Sequence, residues 1–259
     1  MPLRVRTGQE LELMRHAGRV LALLNEELGR NVRPGISTAE LDRIAREFIA
    51  GYEDCTPAFL DYDGFPAAIC TSVNDEVVHG IPDVNRILKE GDIVKLDAGV
   101  LYRGWYSDAA RTWAVGEISS EKQKLMEVTE QAFFEAMKVA RDGAYLYDIG
   151  RAVEDYVKSF GYAPAREYTG HAIGSDLHED PMVPNYKPIG RGMRLKAGMT
   201  LAIEPIINMG SPRVICEGDW ITRTADGKAS AHYENTILIT EGAPEILTLA
   251  PGEVEHELH

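Results

Sequence analysis

Between Asp92 and Trp113, two strand-like runs flank a tight turn at Tyr102-Arg103-Gly104, and Asp97 and Asp108 lie about equally far from it. In a hairpin this makes them near cross-strand neighbours, with Cβ atoms about 4.5–5.5 Å apart. Carboxylates that close repel unless one is protonated or a cation lies between them. Each is flanked by apolar or small residues (Leu96 and Ala98; Ala109 and Ala110), where an unpaired charge is costly. An Asp that caps the turn and another that faces water would explain the pair equally well, so the rest of the chain has to decide.

Three further residues carry similar chemistry. His171 sits between Gly170 and Gly174, where other groups can approach closely. Glu204 interrupts the apolar run Leu201–Ile207, and Glu is almost never buried in such a run without a partner. Glu234 holds a similar place between Ala231 and Ile239. Each also has a plain reading: a loop histidine, an edge-strand Glu before Pro205, the outward face of an alternating strand. Taken together these readings weaken. Four carboxylates that converged would balance two divalent cations, and oxygen ligands with one nitrogen suit Mn, Fe, Co or Zn. Two such ions about 3.5–4 Å apart can share a water and generate hydroxide near neutral pH.

His79, in Asn74–Pro82, and His178, in Asp176–Pro181, lack ligand spacing to their neighbours. Either could donate a proton or orient a substrate. Other patterns are set aside. His256 and His259 are three apart rather than four, Gly99–Gly104 lacks the Lys-Ser/Thr of a phosphate loop, and Cys70 reads as packing.

The elements that must position these groups follow from periodicity. Thr7 and Glu10 form a capping box, and Leu11, Met14, Ala17, Leu21, Leu24 and Leu28 predict a helix over 8–29. Ser37 and Glu40 open a second helix that ends at Gly51. Residues 56–113 carry strand-like runs at Ala68–Val73, Glu76–Val78, Ile93–Leu96, Trp105–Tyr106 and Arg111–Val115. Ser120 and Gln123 open a third helix, and a fourth spans about 145–160. Strands resume at Leu201–Ile207, Trp220–Thr224 and Thr236–Thr240, with Asp226-Gly227 as a hairpin turn. The order helix, helix, strands thus occurs twice. The second helices match at an offset of 108, with Gly35 on Gly143, Leu41 on Ile149, Arg43 on Arg151 and Phe48 on Tyr156. This predicts an α+β chain with a duplicated half and one catalytic domain, the halves being about 7–115 and 118–249. The seam between them is the natural place for a pocket. A short acidic tail, 251–259, is expected to be loose.

The 259 residues carry 44 % hydrophobic and 26 % charged side chains, ordinary for a soluble enzyme. The net charge of −14, with no basic block, argues against nucleic acid as a partner. No apolar run approaches the ~18–20 residues that span a bilayer, so no membrane role is expected. The first residues lack a signal-peptide core. Cys55, Cys70 and Cys216 form no even framework, which points to free thiols and the cytoplasm.

The segments Ser72–Pro82, Asp97–Gly99, Ser107–Thr112, Thr169–Gly174, His178–Pro181, Leu201–Pro205 and Tyr233–Ile237 resemble type I methionine aminopeptidases, over about Thr7 to Leu249. The ligand order Asp, Asp, His, Glu, Glu is specific to the wider pita-bread metallopeptidases, and the segment ending His79-Gly-Ile-Pro82 narrows it to the aminopeptidase branch. The resemblance implies a pita-bread fold of pseudo-twofold halves, a mostly antiparallel sheet covered by helices on one face. It implies two divalent ions (Co, Mn, Fe, Ni or Zn) held by Asp97, Asp108, His171, Glu204 and Glu234. Glu204 would also act as general base. His178 would bind the backbone around the scissile bond, and His79 would assist at the amine or the leaving nitrogen. Tyr62, Phe65, Cys70 and Trp220 would line a slot for the methionine thioether. The implied substrate is the N-terminal Met of nascent polypeptides, met near the ribosome by a monomer. Ala172, Asp63 and Leu177 depart from many relatives, which bears on fine preference rather than on the reaction. A related X-Pro hydrolase is the alternative enzyme, although such enzymes usually carry a further N-terminal domain for which this chain has no room. A non-catalytic binding protein of the same fold is the other, and it would be expected to have lost ligands.

Overall fold

The computed structural model describes residues 4–249. The acidic tail, the His256/His259 pair and the first three residues lie outside them. Helix α1 (Gly8–Asn31) starts at the expected capping box, Thr7 accepting from Glu10 N and Glu10 from Thr7 N. Helix α2 (Thr38–Ala50) is capped by Ser37. Strands β1 (Cys55–Pro57), β2 (Ile69–Val73), β3 (Glu76–Val78), β4 (Ile93–Tyr102) and β5 (Trp105–Ala114) follow. Helix α3 (Ser120–Met137) is capped by Ser119, whose side chain accepts from Lys122 N, one residue ahead of the expected Ser120 box. Helix α4 (Leu146–Lys158) is followed by β6 (Ala163–Pro164), β7 (Gly170–Ala172), β8 (Glu179–Val183), β9 (Thr200–Ile203) and β10 (Ile206–Asn208). The last are β11 (Val214–Glu217), β12 (Ile221–Thr224), β13 (Ser230–His232), β14 (Asn235–Leu238) and β15 (Glu245–Ile246).

The described strands pair antiparallel, in four ladders rather than one continuous sheet: β1-β4-β2 with β5 on β4, β13-β10-β6, β11-β12-β3, and β15-β14-β9-β7-β8. The Asp226-Gly227 turn is present, with Gly227 N donating to Thr224 O, but it is no hairpin: β12 pairs with β11 and β3, whereas β13 pairs with β10.

The α2 and α4 helices are offset by 108 at both ends, and their approaches repeat as well. Gly35 N donates to Leu88 O as Gly143 N donates to Leu195 O. In the first half Leu21, Leu24, Leu28, Leu41 and Ile49 pack on Ile69, Val94 and Leu96. In the second, Val128, Phe133, Ile149 and Val153 pack on Leu201, Ile203 and Ile237. Burying a side chain of this size contributes about 1.5–3 kcal/mol, which fixes the helices on one side of the strands.

Hydrogen bonds at β5 stitch the halves. Among them, Asp108 N donates to Thr236 Oγ1, which donates back to Asp108 O, and Glu234 N donates to Ala110 O. A further tie comes from Lys95, 1 % exposed and on the same face of β4 as Asp97. Its Nζ donates to Asn74 O at 2.7 Å and to Ser230 O at 2.8 Å, spanning both halves. No helix among the described residues is long and apolar enough to cross a membrane.

Candidate metal centre

The β4–β5 hairpin closes through Arg103-Gly104, both with positive φ (47° and 83°), and Tyr102 pairs with Trp105. Positive φ at both central residues is the mark of a two-residue type I′ turn. The register therefore sets Asp97 opposite Ala110 and Asp108 opposite Gly99. The two aspartates are diagonal neighbours on one face, not directly opposed as the turn-counting expected, which leaves more room between them.

His171 lies on strand β7 rather than in a loop. The β7–β8 register shifts between His171 and Ala172, and such a bulge re-aims a side chain. Its Nδ1 lies 3.0 Å from Ala172 O. Donation there leaves the Nε2 lone pair for a metal. Nε2 is 3.7 Å from Asp108 Oδ2 and 3.8 Å from Glu204 Oε1.

Glu204 and Glu234 occupy facing breaks in the ladders. Strand β9 pairs with β14, then Glu204-Pro205 intervenes and β10 pairs with β13; Tyr233-Glu234 is the matching break between β13 and β14. Proline has no N–H to continue a ladder, so the run expected over Leu201–Ile207 splits there. Both carboxylates are thereby freed to face one cleft of about 570 Å³. The ligand atoms of Asp108, His171 and Glu234 lie within 4.8 Å of one another, and so do those of Asp97, Glu234 and His232. His232 carried no signal in the sequence beyond its position two residues before Glu234.

Burial is the first cause of every shift at this centre. Asp97 is pushed up to about 7 and Glu234 to about 8; Asp108 and Glu204 also rise well above the usual carboxylate range, with Glu234 as the next cause. Arg111, which donates to Glu234 O and stacks on Tyr233, opposes the rise at Glu234. The imidazoles move the other way. Burial lowers His171 to about 3 and His79 and His232 to about 4, so all three are neutral and able to coordinate. Asp97 Oδ1, Asp108 Oδ1, Glu234 Oε1 and His232 Nε2 are buried without a hydrogen-bond partner. Buried polar atoms left this way cost stability unless something satisfies them. A carboxylate and imidazole set of this kind fits divalent transition ions.

The cleft wall holds the remaining expected residues. His178 is exposed, with Nδ1 2.9 Å from Tyr62 OH and its ring 4.4 Å from that of His171. His79 packs edge-on against Tyr168 and Trp220. It sits at φ 58°, and Gly80 behind it is clamped to β2: Gly80 N donates to Ser72 Oγ, Thr71 N donates to Gly80 O, and an added Cβ would lie 2.3 Å from Thr71 O. Tyr62, Phe65, Cys70 and Trp220 all line the same cleft, Phe65 and Trp220 in edge contact at 5.1 Å. Burial raises the Cys70 thiol well above its usual value, so it stays a neutral wall atom.

Residues 12–241 match metallopeptidase family M24. The methionine aminopeptidase of Clostridium acetobutylicum is 48 % identical over 246 residues, covering 95 % of this chain and 98 % of that one. The chain belongs to the methionine aminopeptidases of family M24. A member of known crystal structure, from Thermotoga maritima, superposes with a TM-score of 0.93 at 41 % identity, covering 95 % of this chain and 99 % of that one. The prolidase from Pyrococcus furiosus, 23 % identical with a TM-score of 0.77, shares the pita-bread fold alone, over 94 % of this chain and 65 % of its own.

Membership in a metallopeptidase family gives the unsatisfied carboxylates their reason, and it makes a prediction about the metal-free protein. A carboxyl raised in the folded state keeps protons that the unfolded chain gives up above pH ~4. Its stabilisation is full below that value and is lost as pH rises through 7–8. The lowered histidines oppose this only below pH ~6.5, and Lys95, lowered to about 7, opposes with at most one proton. Between pH 6.5 and 8 the Tm of chelator-treated protein should therefore fall by about 5 °C or more, while that of metal-loaded protein stays level. Equal slopes in calorimetry of the two forms would contradict the assignment.

Proposed function

We propose that this chain is a metal-dependent aminopeptidase that removes methionine from the N-terminus of peptides and nascent proteins. One observation carries the proposal. Carboxylates from both halves and the His232 imidazole meet, with buried polar atoms unsatisfied, in one cleft whose outer wall is aromatic and carries the Cys70 thiol.

Asp97, Asp108 and Glu234 would hold or bridge two divalent ions (Co, Mn, Fe, Ni or Zn), with His171 and Glu204 completing the set. Bound there, the ions supply Lewis acidity that lets a water ionise near neutral pH and polarises the scissile carbonyl. Glu204, whose Oε1 faces the cleft 3.8 Å from His171 Nε2, takes a proton from the attacking water. His178, oriented through Nδ1 by Tyr62, offers its other nitrogen to the peptide backbone. His79, neutral, assists at the substrate amine or the leaving nitrogen. Phe65, Trp220, Tyr62 and Cys70 form a slot for an unbranched thioether, which gains from sulfur–aromatic contact.

One catalytic domain, made of the halves 7–115 and 118–249, does this work. The three free thiols fit a reducing compartment, so we place it in the cytoplasm, as a monomer near the ribosome where new N-termini emerge. The test combines elemental analysis with peptide hydrolysis. We expect two ions per chain and release of Met from Met-Ala-x peptides, with X-Pro peptides left intact. Faster cleavage of X-Pro peptides would move the chain to the prolidase-type activity.

A further inference from the structure

His232 has no role in the five-ligand set, yet its side chain points into it. It is 2 % exposed, and Nε2 has no hydrogen-bond partner. That nitrogen lies 3.3 Å from Glu234 Oε2 and 4.0 Å from Glu204 Oε2. It also falls within the 4.8 Å group formed with the oxygens of Asp97 and Glu234. Two ligand atoms, each about 2.1 Å from one ion, stand roughly 3–3.5 Å apart in tetrahedral or octahedral geometry. The spacing to Glu234 meets that condition without being a hydrogen bond.

The backbone holds the ring in place. His232 N donates to Thr112 Oγ1, Thr112 Oγ1 donates to His232 O, and His232 pairs with Ile206 in the β10–β13 ladder. The ladder then breaks at Tyr233-Glu234, so His232 is the last residue of its strand before a ligand-bearing carboxylate. A buried imidazole nitrogen without a partner is costly, and in a cleft of carboxylates a cation is the group that would satisfy it.

We propose that His232 is a metal ligand, its Nε2 completing with Asp97 and Glu234 one ion position, while Asp108, His171, Glu204 and Glu234 serve the other. This rests on the two-ion reading above. It gives each position one imidazole. Such a pair favours Fe, Co, Ni or Zn over the oxygen-preferring Mn and Mg.

The test loads metal-free protein with Co(II), counts ions by elemental analysis and reads imidazole scattering by X-ray absorption. We expect an average of one imidazole per ion, and half that in His232→Gln. Calorimetry should show the more weakened Co(II) site of the variant losing about 10-fold or more in affinity. Circular dichroism should show an unchanged fold. Two ions sharing a single imidazole in the unsubstituted protein would overturn the proposal, as would undiminished Co(II) affinity in the variant. A count of one ion per chain would instead overturn the two-ion reading. The role of His232 would then be decided by whether His232→Gln removes a nitrogen donor from that ion.

Discussion

Glu204→Gln is expected to lower kcat on Met-Ala-x peptides by about 10²–10⁴-fold, the range set by loss of a general base. The amide keeps the size of the side chain and one oxygen that can still face the cleft, but it cannot accept the proton of the attacking water. The backbone at this position does not depend on the carboxylate: Asn185 Nδ2 donates to Glu204 O, and Tyr233 N donates to Pro205 O. The variant should therefore fold. Without metal, above neutral pH, it should melt higher than the unsubstituted chain, because a carboxylate disfavoured first by burial and then by Glu234 and Asp97 is gone. Reduced activity with raised metal-free stability is a pairing that simple damage to the fold would not produce. Activity within tenfold of the unsubstituted enzyme would remove Glu204 from the reaction.

His79→Ala is expected to lower kcat by about 10²-fold or more while metal content stays unchanged. His79 belongs to neither group of converging ligand atoms. It faces the aromatic wall at Tyr168 and Trp220, and burial keeps its ring neutral at physiological pH. Its backbone conformation, φ 58°, is uncommon outside glycine. Asn tolerates it well, so His79→Asn separates backbone strain from ring chemistry. Both variants should retain metal and lose turnover alike if the ring matters. Metal loss in His79→Ala, or recovery of activity in His79→Asn, would make the residue a scaffold for the loop rather than a partner of the substrate.

Much of this site could be read from the sequence, for a physical reason. Acidic residues inside apolar runs advertise themselves, because burial without a partner is so unfavourable. Asp97, Asp108, Glu204 and Glu234 all stood out this way, and the cleft does bring them together with His171. The helices were legible from their caps, Thr7 and Ser37 above all. Features that depend on pairing were not. Whether the β4–β5 turn uses two or three residues decides which side chains oppose each other, and only the backbone conformation of Arg103-Gly104 settles it. The split between β9 and β10 is written in Pro205, but its matching break at Tyr233-Glu234 has no such mark. His232 was missed for that reason: nothing local in the strand shows that the ladder stops one residue later and lets the ring meet Asp97.

The amine of Lys95, tied to carbonyls of Asn74 and Ser230, fills the junction between the halves with a donor carried by the chain itself. A covalently attached donor cannot be washed out or exchanged. Together with the contacts of β5 it ties the two halves by groups that belong to the chain itself, so the walls of the cleft are joined without drawing on whatever the cleft holds, unlike small domains whose fold appears only on metallation. Removing the occupant with a chelator should then leave the far-ultraviolet circular dichroism unchanged.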